Sequence, residues 1–284
     1  MFLPLKDAIA GHVEDGQTLA LEGFTHLIPF AAGQEIIRQG RKDLHLVRMT
    51  PDLIYDQMIG AGCARALTFS WGGNPGVGSL HRFRDAVERD WPRPLELHEQ
   101  AHAGMAVAYT AGASNLPFGM LRGYLGTDLA KVNPDIRSVA CPYTGERIAT
   151  VPALHPDVTI LHAQKADRRG NVLLRGIVGA GKEAAMAARK LLVTVEEVVD
   201  DLDAAPNAVI LPHWIVTAIS CVPWGAYPSY AQGYYERDNA FYLAWDEIAR
   251  DRTIFRAWMD RHVLGTDDHA GFLRSLARIG MEAP

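Results

Sequence analysis

The sequence predicts an α/β protein built on a parallel sheet, and three observations carry that prediction. Short apolar runs alternate with amphipathic stretches through the first half of the chain, the rhythm of β-α-β units. Small, glycine-rich turns fall where expected strands hand over to expected helices, at residues 23–26 and again at 71–79. In the tail, from 240 to 262, Phe241, Trp245, Ile248, Phe255 and Trp258 recur near helical spacing, so a C-terminal helical segment should close over the body. With 284 residues, 48% of them hydrophobic, the chain can bury a large core, and a single domain over 1–284 is expected.

Each element has a local reason. A helix is expected near 4–14, because Leu5, Ile9 and Val13 lie one turn apart, Pro4 fits the first turn and Gly16 marks the stop. Strand 18–22, helix 31–39, strand 44–49, helix 52–59 and strand 64–70 follow. After the loop WGGNPGVGS comes a charged amphipathic helix near 80–90, ending before Pro92. Pro92, Pro94 and the alternation in PLELH make 95–98 a strand. Residues 113–135, rich in Gly, Asn and Pro, break the rhythm and read as a long connection. Further strands are expected at 136–140, 148–152, 157–162, 171–175, 191–195 and 208–211, with helix 182–189 between two of them. Residues 204–235 carry no Asp, Glu, Lys or Arg, long enough to suggest a membrane span. Pro206, Pro212, Pro223 and Pro228 divide that stretch into pieces such as AVIL and WIVTAI, which read as buried strands.

Composition narrows the partners. The formal charge of −5, with 28 basic against 33 acidic residues and no basic run, gives no footprint for nucleic acid, and no membrane association is expected. Cys63, Cys141 and Cys221 are odd in number, widely spaced and without a CxxC, which fits free thiols in a reducing cytoplasm. Lys6 and Asp7 interrupt the N-terminal apolar residues too early for a signal peptide.

The first turn, Gly23, Phe24, Thr25 and His26, follows the strand LAL and leads to Pro29 and a helix. Backbone N–H groups there face out beyond the strand's carboxyl end, where oxyanions and phosphates are held. An ordinary tight turn is the alternative. Two further motifs fail on inspection. GIVGAGKE (176–183) satisfies G-x-x-x-x-G-K, but Glu183 stands where a P-loop needs Ser or Thr for magnesium. HEQAH (98–102) matches H-E-x-x-H, yet it straddles a strand end and a helix start, so the two imidazoles diverge; no metal is expected. Glu99 and His102 remain as acid–base candidates at the sheet's ligand-facing edge.

Six colinear segments together resemble the α chains of the family I CoA-transferases, most closely the glutaconate CoA-transferase type. They are LKDAIAGHVEDGQTLALEGF, EIIRQGRKDL, GVGSLHRFR, HAQKADRRGNV, LLVTVEEVV and WGAYPSYAQGYYERDNAF, and they span nearly the whole chain. The resemblance implies an open, mostly parallel sheet with helices on both faces, and an enzyme shared with a homologous β subunit. It implies that a β-subunit glutamate attacks the acyl-CoA thioester, passing through an anhydride and a glutamyl-CoA thioester before CoA moves to a small carboxylic acid. Coenzyme A thioester is then a substrate, and no cofactor is held permanently. The β chain's Ser-Glu-Asn-Gly type sequence does not occur here, so no nucleophile is expected in this chain. Ring-opening acyl-CoA hydrolases of the same paired fold are the alternative reading, in which Glu99 or His102 would direct water.

The resemblance and the loop positions select the binding candidates: Gly23, Phe24, Thr25 and His26 in the first loop, Asn74, Gly76, Val77 and Ser79 in the second, and Gln164, Gly170 and Asn171 on the HAQKADRRGN turn. Turn formation alone is the competing account of the last two groups. Glu22 replaces a glycine usual in such α chains, and its plainer reading is a strand-end carboxylate beside a base. Arg82 and Arg84 offer charge for a substrate carboxylate, but on a helix with Asp85, Glu88 and Arg89 they are expected to be solvated. Of Glu196 and Glu197, one is expected to bind a partner subunit or a loop arginine.

Overall fold

The computed structural model describes residues 1–75, 77–203 and 206–277. Helix α1 (Leu5–His12) precedes a run of alternating elements: β1 (Thr18–Leu21), α2 (Phe30–Arg38), β2 (Leu44–Val47), α3 (Leu53–Gly60), β3 (Ala64–Phe69), α4 (His81–Arg89), β4 (Glu96–Glu99) and α5 (His102–Ala113). β1 to β4 pair in parallel in that order, so the chain steps steadily away from β1. Later come β8 (Val158–Asp167), β9 (Val172–Arg175), α7 (Gly181–Ala187), β10 (Lys190–Val199), β11 (Ala208–Leu211) and β12 (Ala218–Cys221). β8 adds to the other side of β1, and β10 and β12 continue outward, all parallel. The direction of growth therefore reverses between β1 and β8, the topological switch point beyond whose carboxyl ends open α/β sheets bind ligands.

Alternation along β1 divides the core. Leu19 and Leu21 pack with Ile36 of α2 and Ile54 of α3, whereas Ala20 and Val47 face Met105 and Tyr109 of α5 and Ala184 and Ala187 of α7. Helices thus cover both faces, as expected. The C-terminal helices α8 (Asn239–Arg250), α9 (Arg252–Met259) and α10 (His269–Ala277) pack as the aromatic spacing predicts, with Phe241, Trp245, Phe255 and Phe272 fully buried. Trp245 donates to Asp56 Oδ2 at 3.0 Å, and Asp56 Oδ1 accepts the amides of Arg82 and Phe83, so one α3 carboxylate caps α4 and anchors α8. Burial pushes that carboxyl up to about 6 against these donors.

Three expectations change. The stretch 113–135 is more than a connection: it carries the end of α5, then β5 (Phe118–Leu121) and α6 (Leu129–Val132). β5 joins β6 (Arg137–Ala140) and β7 (Arg147–Pro152) in a separate antiparallel sheet. Its strands are short, and one face shows Phe118, Met120 and Val139 to solvent, so no long apolar run marks it. Second, β8 and β10 run ten residues each, well past 162 and 195. Their second halves pair through Lys165 with Glu197, and these charges interrupt the apolar signal. Third, Arg82 is buried, 3% exposed, paired with Asp85 at 3.1 Å and lying over the Trp91 ring, whereas Arg84 is solvated beside Glu88. The α8–α9 clamp, invisible to local sequence, covers one arginine and leaves the other. All three cysteines are free. Among the described residues no helix is long and apolar enough to cross a membrane.

Candidate active site

The sheet creates the site by a mismatch of strand lengths. β8 pairs with β1 only at 158–160, and with β9 only at 165–166, leaving 161–164 open on that side. The loop after β1 fills the opening. Its backbone bends sharply: Gly23 has φ 152°, Thr25 63° and Leu27 53°. A Cβ at Gly23 would lie 2.6 Å from Leu27 O, so only glycine admits the turn. Residues 229–230 hold the loop: Ser229 Oγ donates to Thr25 O, Leu27 N donates to Tyr230 O at 2.9 Å, and the His26 ring stacks on Tyr230 at 4.9 Å.

Under this loop lies a small chamber lined by Glu22, Gly23, His26, Leu161, His162, Ile177 and Gly181. Glu22 is buried, and its Oε1 accepts from Tyr109 Oη at 2.8 Å and Met49 N at 3.2 Å. Arg48 stands beside it but donates to Leu21 O and Gly23 O. Burial therefore raises the Glu22 carboxyl, and Arg48, Tyr109 and backbone amides only partly oppose it. Neither ring nitrogen of His26 has a well-formed hydrogen bond, and burial lowers its basicity.

Behind the chamber, His162 Nε2 meets Glu196 Oε1 at 2.6 Å and His162 Nδ1 meets Thr194 Oγ1 at 2.8 Å. Glu196 also accepts from Tyr235 Oη and Trp224 N, both at 2.7 Å. Burial would raise this carboxyl, but the His162 contact, with Tyr235 and Trp224, outweighs it and holds Glu196 low. Its partner is thus a histidine inside the same chain, rather than another protein or a loop arginine. Glu197 pairs with Lys165 at 2.7 Å and accepts from Tyr234.

The predicted residues fall into three groups. Gly23, Phe24, Thr25, His26 and His102 come together: Phe24 meets the His102 ring edge-on at 6.4 Å. The failed G-x-x-x-x-G-K loop joins them, since a Cβ at Gly179 would lie 2.8 Å from Phe24 and one at Gly176 2.7 Å from the His26 ring. Those glycines serve close packing of two loops. Asn74 is buried and donates to Tyr242 O at 2.8 Å, Val77 packs on the core, and Ser79 is half-buried, so the second loop is fixed to α8; Gly76 lies outside the described residues. Gln164 exchanges hydrogen bonds with the Arg175 backbone, and Gly170 and Asn171 form the β8–β9 hairpin, where Asn171 binds Asp167 and receives His213 N. Glu99 is exposed, with its carbonyl held by Asn133. His98 turns instead to His45, Glu96 and Asp135, so the HEQAH histidines do diverge.

The model for the coenzyme A transferase family matches residues 3–221. The chain belongs to that family. It is 64% identical over 97% of its length to one of the subunits of the 3-oxoadipate CoA-transferase of Pseudomonas knackmussii, and 98% of that relative is covered. It is 31% identical over 96% of its length to the matching chain of the glutaconate CoA-transferase of Acidaminococcus fermentans, of which 91% is covered. The crystal structure of that glutaconate enzyme superposes with a TM-score of 0.91, at 29% identity over 99% of this chain and 94% of that one. A variant of the decarboxylase AibA/AibB gives 0.80, at 30% identity, covering 92% of this chain and 98% of that one.

As a CoA-transferase chain of the α type, it bears out the enzyme class and fold that the six segments imply. Sequence reading of this CoA-transferase missed Arg48, Tyr109, His162, Ser229 and Tyr230, which build the chamber and hold the loop. A signal existed for some of them: Arg48 and His162 interrupt apolar strand runs, where a polar residue must find a buried partner.

Proposed function

We propose that this chain works with a homologous partner subunit to move CoA from an acyl-CoA to a dicarboxylic acid of the 3-oxoadipate kind. The observation that carries the reading is the 64% identity to a 3-oxoadipate CoA-transferase chain along nearly the whole of both proteins. Glutaconate, named for the second relative, is a dicarboxylic acid too. The partner brings the attacking glutamate. The site chemistry agrees with that division: Glu22 and Glu196 lie buried under their own donors, so neither is presented to a thioester. This chain supplies the wall and first-loop backbone N–H groups, which would hold the thioester oxygen as it becomes an oxyanion. Binding of the remote parts of CoA aligns the reacting end. Coenzyme A enters as substrate, and the work is cytoplasmic.

The test is co-purification with the cognate partner, followed by CoA exchange between acyl-CoA donors and a panel of acids. Transfer to 3-oxoadipate is expected, and borohydride should inactivate the enzyme by reducing a glutamyl-CoA thioester on the partner. Hydrolysis without transfer, insensitive to borohydride, would overturn the proposal.

A further inference from the structure

The Ser70 contacts decide which His102 nitrogen faces the protein and which faces out. The Ser70 hydroxyl lies 2.6 Å from Met49 O and 3.1 Å from His102 Nδ1. A carbonyl oxygen only accepts, so the single hydroxyl proton goes to Met49, and the second contact must be Nδ1–H donating to Ser70 Oγ. This assignment follows from the network, with the hydrogens inferred. Nε2 is then the atom that changes with protonation, an acceptor in the neutral ring and a donor in the imidazolium.

The surroundings direct Nε2 to a ligand. His102 is exposed at the start of α5, and among the described residues Nε2 has no hydrogen-bond or ion-pair partner. Phe24 of the first loop braces the ring from one side. The other imidazoles of the site are closed: His26 is buried under Tyr230, and both nitrogens of His162 are engaged. Arg48 is buried and committed to the backbone of Leu21 and Gly23.

A diacid reacts at one end and presents a second carboxylate that must be matched by charge. We propose that His102 Nε2–H donates to that second carboxylate, and so sets the preference for dicarboxylic over monocarboxylic acyl groups. The approaching carboxylate itself favours the imidazolium. The inference rests on the dicarboxylate reading above.

Two substitutions separate the roles of the two nitrogens. His102→Asn keeps a donor near the Nδ1 position, for Ser70, and has nothing at Nε2. His102→Gln reaches toward the Nε2 position with an amide N–H. Each variant is assayed in complex with the partner subunit, with 3-oxoadipate and the equally long monoacid 3-oxohexanoate as acceptors, and its melting is compared with wild type. The expected result is that His102→Asn lowers the diacid-to-monoacid ratio of kcat/KM by about tenfold or more, mostly through KM, the scale of a charge-assisted hydrogen bond. His102→Gln should keep the ratio within about threefold of wild type. A ratio untouched by His102→Asn, or an equal fall of both acids in both variants, overturns the contact. A wild-type enzyme with no preference for the diacid overturns the dicarboxylate reading and the contact with it.

Discussion

Glu22 and Glu196 are both glutamates buried near the carboxyl ends of the sheet, and burial raises both, yet their partners leave them on opposite sides of the ordinary carboxylate value. What differs is the fate of the neighbouring base. At Glu196 the His162 imidazole points its Nε2 at the carboxylate, and a tyrosine hydroxyl and a backbone amide complete the shell. At Glu22 the neighbouring guanidinium donates instead to the carbonyls of Leu21 and Gly23, which shapes the first loop and leaves the carboxyl with neutral hydrogen-bond donors only. One carboxylate is held by its own base, and the other lies beside a base that the first loop has taken. Burial dominates at Glu22, and the nearby Arg48 charge opposes it without overturning it; at Glu196 a hydrogen-bonded base adds enough to do so.

Breaking the better-partnered member should have the largest effect. Glu196→Gln removes the charge opposite His162 and is expected to cost about 3 kcal/mol of stability, the scale of a broken buried pair. Because the folded carboxyl is held low, its contribution is present above the ordinary value of 4.5 and is lost as pH falls through the folded value. Chemical unfolding at pH 7 and pH 4 checks both statements: the gap between variant and wild type should narrow at the lower pH. Equal stability at pH 7 would mean that desolvation cancels the pair.

Next in size is the base at the other glutamate. Arg48→Met removes the hydrogen bonds to Leu21 O at the end of β1 and to Gly23 O in the first loop, and should cost about 2 kcal/mol. It should also speed amide exchange at Gly23 to Leu27 and lower kcat/KM, since these amides belong to the proposed oxyanion site. Unchanged exchange in this loop would show that Ser229 and Tyr230 hold it alone.

These two environments also mark what could be read from the chain. The β-α rhythm located strands 18–22, 44–49 and 64–70 to within one or two residues, because parallel strands buried on both faces leave continuous apolar runs. The first loop was legible for the same reason: a glycine at a strand's end has a local meaning. His102 was legible as a histidine at a helix start. Tyr109, Tyr230 and His162 were not, since their partners Glu22, His26 and Glu196 sit on other elements of the chain and meet them only when the sheet assembles at the switch point. Arg82 was misread because the helices that bury it lie about 170 residues later. Two strands of the small antiparallel sheet were read at 136–140 and 148–152; its third, β5, was hidden because its four residues lie in the Gly-, Asn- and Pro-rich stretch and show Phe118 and Met120 to solvent.

The smallest effect, and the sharpest, comes from Glu22→Gln, whose sign should be opposite to that of Glu196→Gln. Burial raises the folded-state value of Glu22, so the protonated form suits the fold. Stability linked to this group is therefore fully present below the ordinary value of 4.5, and is lost as pH rises through the folded value. Glutamine resembles the protonated carboxyl, and its oxygen can still accept from Tyr109 and Met49. At pH 4 variant and wild type should unfold together, while at pH 8 the variant should be more stable by about 1 kcal/mol. A variant less stable than wild type at pH 8 would mean that Arg48 compensates the Glu22 charge through space despite donating elsewhere. In that case the two glutamates would differ in degree, and the direction of the Arg48 N–H bonds would lose its place in the explanation.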